Sequence, residues 1–148
     1  MYLDSAIIVK LLVREADSPW FDRNVRDHDL WTSELTLAEV SSAINIKERT
    51  GLISAGERKS ALARFEAMQK DESLEFHPLN SAVVRHAAGL LVSCHPEVAL
   101  RSLDAIHLAT AMMHPRGSLC TNDARLRAAA KRMGVVCFPE EISEIEKE

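Results

Sequence analysis

The sequence predicts an α/β fold in one domain, with a mostly parallel sheet covered by helices on both faces. Three observations carry this expectation. Short apolar runs suited to buried strands alternate with helical stretches along the whole chain. The 148 residues are 47% hydrophobic, enough to build a core without disulfides or a structural metal. No linker, repeat or low-complexity stretch divides the chain, so residues 1–139 read as one domain followed by a tail at 140–148.

The elements follow in order. Tyr2-Leu3 is a short strand ending at Asp4. Ser5 is placed to cap a helix carrying Ile7, Ile8, Leu11 and Leu12 at helical spacing. Ser18-Pro19 opens a second helix, with Pro at its first position, running to about His28. Leu30-Trp31-Thr32 is a second strand. A long helix runs from about Glu34 to Arg49, with Leu37, Val40, Ala43 and Ile44 as its apolar stripe, and Gly51 closes it. Ser54 and Glu57 have the spacing of a capping box for a helix that buries Ala61, Leu62, Phe65 and Met68. Leu74-Glu75-Phe76 alternates as a strand does. Asn80 caps a helix to about Ser93, and Ser102 is placed to cap another to Met113. Ser118-Leu119-Cys120 is a strand, Ala124–Met133 a helix with Gly134 past its end, and Val135–Phe138 a final buried strand. The tail after Pro139 has no evident core to join.

Several classes are disfavoured. No apolar run reaches the length of a membrane span, and the first residues lack the basic segment of a signal peptide, so a cytoplasmic protein is expected. Cys94, Cys120 and Cys137 are odd in number and widely spaced, which argues for buried reduced thiols rather than a disulfide framework or zinc knuckle. The net charge of −4 gives no basic signature of nucleic-acid binding. Of 22 acidic and 18 basic residues, however, the last nine hold five Glu and one Lys, so the rest of the chain is neutral.

Most acidic residues belong to polar helix faces or ends. Four do not. Asp4 ends the first strand and Asp123 follows the fourth. Asp104 lies in the first turn of an apolar helix between Leu103 and Ala105, and Glu39 sits between Ala38 and Val40 in the second turn of another. In an open parallel sheet, strand ends and helix starts meet at one edge, where ligands bind. Each residue has a plain structural alternative as a helix-end acid or a surface charge. Together they are harder to dismiss, because crowded carboxylates repel each other at low dielectric and no Lys or Arg adjoins any of the four in sequence. A divalent metal is the simplest missing cation. Oxygen-only ligands suit Mg²⁺ or Mn²⁺ rather than Zn²⁺, and such sites commonly serve phosphoryl transfer, as in nucleases and phosphatases.

The same segments resemble the PIN-domain nucleases, and most of all the short VapC-type toxins of toxin–antitoxin pairs. The resemblance rests on Met1-Tyr2-Leu3-Asp4-Ser5, Leu37-Ala38-Glu39-Val40, Leu103-Asp104-Ala105-Ile106-His107-Leu108-Ala109-Thr110-Ala111 and Thr121-Asn122-Asp123-Ala124-Arg125-Leu126, in order to about Phe138. It implies a Rossmann-like three-layer α/β/α sandwich. It implies that Asp4, Glu39, Asp104 and Asp123 form an acidic quartet binding Mg²⁺ or Mn²⁺. It further implies endoribonuclease action on structured RNA such as transfer or ribosomal RNA, a covering antitoxin, and a homodimer. On that basis Ser5 and Thr121 are expected to hydrogen-bond the carboxylates or a metal-bound water, strand-end and cap chemistry being their alternative.

His107 falls three residues after Asp104 on one helix face and is expected to pack or hold a hydrogen bond beside the site rather than act on substrate. Arg101, Arg116, Arg125 and Arg127 flank the inferred site and could meet RNA phosphates, or be ordinary surface charges. Trp20 and Trp31 are expected in the core. A phosphatase of the haloacid-dehalogenase type would want a second Asp two residues after Asp4, where Ala6 stands. A phospho-acceptor receiver domain would want adjacent acids at the first strand and a Lys near the last, and neither is present. A non-catalytic binding module of the same fold is the third alternative, weakened by the presence of all four acids.

Overall fold

The computed structural model describes residues 1–114 and 117–145. Five short parallel strands form one sheet: β1 (Tyr2–Leu3), β2 (Trp31–Ser33), β3 (Glu75–His77), β4 (Leu119–Cys120) and β5 (Cys137–Phe138), in the order β3-β2-β1-β4-β5. Seven helices connect and cover them: α1 (Ser5–Leu12), α2 (Ser18–Val25), α3 (Leu35–Arg49), α4 (Ala55–Lys70), α5 (Ser81–Cys94), α6 (Ser102–Met113) and α7 (Ala124–Arg132).

Strand alternation divides the core in two. Leu3 and Cys120 pack with Ile7, Ile8, Phe21, Val40, Ile44 and Phe65 of α1 to α4 on one face. Their neighbours Tyr2 and Leu119 pack with Val83, Leu90, Ala105, Leu108, Leu126 and Ala129 of α5 to α7 on the other. The result is the three-layer α/β/α arrangement the sequence predicts. Strand order reverses at β1, which pairs with β2 on one side and with the distant β4 on the other. That reversal opens a crevice beyond the carboxyl ends of β1 and β4.

Local chemistry explains most boundaries. Ser54 and Glu57 form the capping box reciprocally, and Asn80 accepts from the N–H groups of Ala82 and Val83. Gly51 and Gly134, at φ of 74° and 72°, take the left-handed conformation that ends α3 and α7.

Other expectations need correction. Ser5 does not cap α1; Asp4 does, its carboxylate accepting from Ile7 N–H at 2.9 Å. Ser102 is the first residue of α6 rather than its cap, and Arg101 at the cap position makes no side-chain cap bond. Helix α2 stops at Val25, short of His28. The final strand is shorter than expected, Cys137–Phe138, and only half-buried at the edge of the sheet, with Val136 before it 68% exposed. On α3, Leu37 of the expected stripe is exposed, as is the neighbouring Ile46, and Thr36 is buried beside Val40 and Ile44.

The tail does find a core. A short 3₁₀ turn at Ile142–Glu144 brings Ile145 against the α1–α4 cluster. The Arg127 guanidinium donates to the carbonyls of Thr121, Pro139 and Glu140 at 3.0, 2.8 and 2.7 Å, pinning the chain there. The rest of the expected tail, residues 146–148, and Arg116 lie outside the described residues. Trp20 and Trp31 are buried, as expected, and Cys94, Cys120 and Cys137 are free thiols. Among the described residues no helix is long and apolar enough to cross a membrane.

Candidate active site

The crevice at the strand reversal collects the four singled-out carboxylates. Asp4 leaves β1, Asp123 follows β4, Glu39 projects from the second turn of α3, and Asp104 from the first turn of α6. Asp4 and Asp104 each feel the charge of Asp123 and of His107, and Glu39 is linked to them through its bond to His107.

Asp4 is 4% exposed, and burial pushes its carboxyl above the usual range, with Asp123 adding to the rise. The Thr121 hydroxyl, the Ile7 N–H and His107 act the other way. Thr121 is fully buried, and its oxygen also accepts from Asp123 N–H at 3.1 Å, so one hydroxyl ties the two strand ends together. Asp123 caps α7, one carboxylate oxygen accepting from Arg125 and Leu126 N–H at 2.8 and 2.9 Å. The cap alternative is therefore real for Asp4 and Asp123, and it is compatible with a site. Cap bonds use Oδ1 of each, and the second oxygen of Asp123 makes no hydrogen bond among the described residues.

Asp104 differs. Its Oδ2 is buried and has no hydrogen-bond partner. Burial raises its carboxyl above the ordinary value and Asp123 raises it further, against opposing pulls from His107, Arg101 and Arg125. A buried carboxylate oxygen without a donor is costly unless something else supplies positive charge.

Glu39 has the opposite surroundings. Burial alone would raise its carboxyl, but His107 and Ser5 outweigh burial and hold it below the usual range. His107 Nε2 lies 2.7 Å from Glu39 Oε2, and the Ser5 hydroxyl donates to the same oxygen. His107 thus holds a hydrogen bond beside the site, as expected. Its other ring nitrogen meets the hydroxyl of Tyr2 at 2.6 Å, a contact without a sequence signal because the two residues lie 105 positions apart.

A cavity of about 540 Å³ opens beside Glu39 and Ser5, walled by Ala6, Val9, Ala43, Ile46 and Leu103. The exposed Ile46 and Leu103 find their place there. Lys10, at the same cavity, is paired with Glu15 and Asp17 at 2.7 and 2.8 Å. Arg127, one of the four arginines read as either phosphate contacts or surface charges, is engaged with backbone carbonyls.

The donor set fits a hard divalent cation. It is all oxygen, it includes an orphaned buried oxygen, and none of Asp4, Asp104 or Asp123 forms an ion pair among the described residues. As placed, no three His, Cys, Asp or Glu side chains of the described residues are gathered into a ready-made metal cluster. Helix caps hold Asp4 and Asp123, and His107 holds Glu39, so each of those side chains has one oxygen already engaged.

Fold and site together define a chain of the PIN domain family, to which this protein belongs: residues 1–132 match that family. It is similar to ribonuclease VapC46 of Mycobacterium tuberculosis, 41% identical over 138 residues covering 91% of this chain and 93% of the relative. It is also 36% identical over 144 residues to ribonuclease VapC35 of the same organism, with the same coverage. The fold is shared with M. tuberculosis VapC20, described as a sarcin-ricin loop cleaving toxin (TM-score 0.67, 17% identity, 86% of this chain and 93% of that one). It is shared too with the FitAcB structure of Neisseria gonorrhoeae (TM-score 0.65, 20% identity, 94% of this chain and 96% of that one). A toxin–antitoxin complex from Klebsiella pneumoniae has the same fold (TM-score 0.60, 18% identity, 86% of this chain and 89% of that one).

Proposed function

We propose that this protein is a Mg²⁺- or Mn²⁺-dependent endoribonuclease, the toxin of a type II toxin–antitoxin pair, cutting structured cellular RNA of the transfer or ribosomal class in the cytoplasm. The observation that carries the proposal is the buried, unpartnered Oδ2 of Asp104, in a carboxylate that with Asp4 feels Asp123, while Glu39 joins through His107. The similarity to curated ribonucleases supports the RNA substrate.

In this reading Asp4, Asp104 and Asp123 hold the metal. When bound, the ion supplies charge neutralisation at the phosphate and lowers the pKa of attacking water. Glu39 completes the site or orients that water for attack on phosphorus as the leaving ribose oxygen departs. Thr121 and Ser5 hold carboxylates rather than touch substrate. Arg101 and Arg125, close enough to act on Asp104, are placed to steer the RNA backbone. The exposed Ile46 and Leu103 around the cavity suit a covering antitoxin, and a homodimer is part of the same proposal.

The test is cleavage of total transfer and ribosomal RNA with and without Mg²⁺ or Mn²⁺, together with metal titration by calorimetry. Asp4→Asn and Asp104→Asn should abolish both cleavage and metal binding. Wild-type activity in either variant sinks the quartet. Absence of binding at millimolar metal would favour the non-catalytic module instead.

A further inference from the structure

Oxygen Oε2 of Glu39 is fully committed within the protein. An ionised carboxylate only accepts, so the proton in the 2.7 Å contact with His107 belongs to Nε2, and the Ser5 hydroxyl donates to the same oxygen. Oε1 makes no hydrogen bond among the described residues, and Glu39 lines the cavity. His107 is itself held on its far side. Its Nδ1 meets the hydroxyl of Tyr2 at 2.6 Å, and the two rings stand edge to face with centroids 5.8 Å apart. Tyr2 is fully buried in the central strand and flanked by Trp31 at 4.9 Å between centroids. His107 is 3% exposed.

We infer that Tyr2 and His107 are a buried positioning pair for Glu39, fixing Oε2 against the protein so that Oε1 alone serves the cleft. The inference rests on the nuclease reading above. It separates Glu39 from Asp4 and Asp123, whose engaged oxygens are held by the backbone of their own helices: the direction of Glu39 is set from the opposite layer of the fold. The physical logic is that of an outer-shell partner, which acts by orienting a group that does the chemistry.

The test uses the full chain on total transfer RNA with Mg²⁺ or Mn²⁺. Losing an outer-shell partner typically costs about 10- to 100-fold in activity, so His107→Ala should lower kcat by that factor with little change in KM. His107→Gln, whose amide N–H reaches toward the position of Nε2–H, should recover most of the loss. Tyr2→Phe should lower kcat severalfold while His107 stays in place. Nitrogen-15 NMR of the unmodified protein gives a measurement independent of folding in the variants: Nε2 of His107 should carry a proton. A wild-type kcat in folded His107→Ala overturns the inference. So does a His107→Gln variant as impaired as His107→Ala at equal thermal stability, or an unprotonated Nε2. If Asp4→Asn is inactive while His107→Ala is not, only this inference falls. An active Asp4→Asn removes the site reading itself.

Discussion

Asp104→Asn should make the metal-free protein more stable while removing its activity. The wild-type carboxylate carries a buried Oδ2 without a donor and feels Asp123, and both effects raise its folded pKa. A buried ionised oxygen without a donor costs more than the neutral amide that would replace it, by about 1–3 kcal/mol. The residue is only partly buried, which places the cost toward the low end. Against this, Asp104 in the first turn of α6 gains about 0.3–1 kcal/mol from the helix dipole, which Asn forfeits. The net gain is about 1 kcal/mol, or about 3 °C in Tm for a chain of this size. The sign with pH follows from linkage. A carboxyl whose folded pKa is raised binds more protons folded than unfolded, so its penalty is complete at neutral pH and fades as pH falls through that raised pKa. Calorimetric melting in EDTA at pH 7.5 and pH 5 reads both. The variant should lead at pH 7.5, and the gap should narrow at pH 5. Added Mg²⁺ should reverse the order, since metal at about 100 times its Kd stabilises the binding form by about 2.7 kcal/mol. A variant less stable than wild type in EDTA at pH 7.5, or one that gains as much from Mg²⁺, refutes the reasoning.

Three further outcomes are expected. Glu15 lies between Lys10 and Lys47; burial alone would raise its carboxyl, but these hydrogen bonds and charges hold it lower. Its contribution is therefore present above the unfolded carboxylate pKa and lost as pH falls through the depressed folded value, so Glu15→Gln should cost about 1 kcal/mol at pH 7 and progressively less as pH falls through that value in urea unfolding. Arg127→Ala breaks three bonds to carbonyls and should cost about 2 kcal/mol by the same assay, with truncation before Glu140 melting lower as well because Ile145 loses its packing. Ile44→Ala, at a fully buried position of α3, should cost about 2–5 kcal/mol, measured by denaturant midpoint.

The truncation result bears on charge. Setting aside the last nine residues and the four site carboxylates leaves 13 acidic against 17 basic residues, so the remaining chain leans basic despite its net of −4. From the sequence, deleting Glu140–Glu148 would be expected to raise RNA affinity at low salt by unmasking that basic excess. With Arg127 holding Glu140 and Ile145 packed on the core, the same deletion also removes structure.

Particular residues show where sequence reasoning reached and where it stopped. Strand and helix order was legible because apolar periodicity and caps are local: Ser54 with Glu57, Asn80, and the glycines past α3 and α7 act on backbone a few residues away. Caps failed where a carboxylate competed with a hydroxyl. Asp4 takes the α1 N-terminus from Ser5, which turns instead to Glu39. The apolar Ile46 and Leu103 prove to be cavity wall, which sequence could not separate from core, because periodicity reports a face without saying what covers it.

By itself the sequence determined the layered α/β class, the placement of Asp4 and Asp123 at strand ends, and the lack of sequence-adjacent cations beside four carboxylates. These depend on composition and near-neighbour spacing. Only the tertiary structure decided which oxygens are engaged, that Asp104 Oδ2 is orphaned, that Arg127 is bound to the tail, and that Tyr2 reaches His107 and through it Glu39. Those contacts join residues 12 to 105 positions apart. Burial and pairing at such separations arise only when the sheet order sets β1 beside β4 and packs α3 and α6 over the same edge.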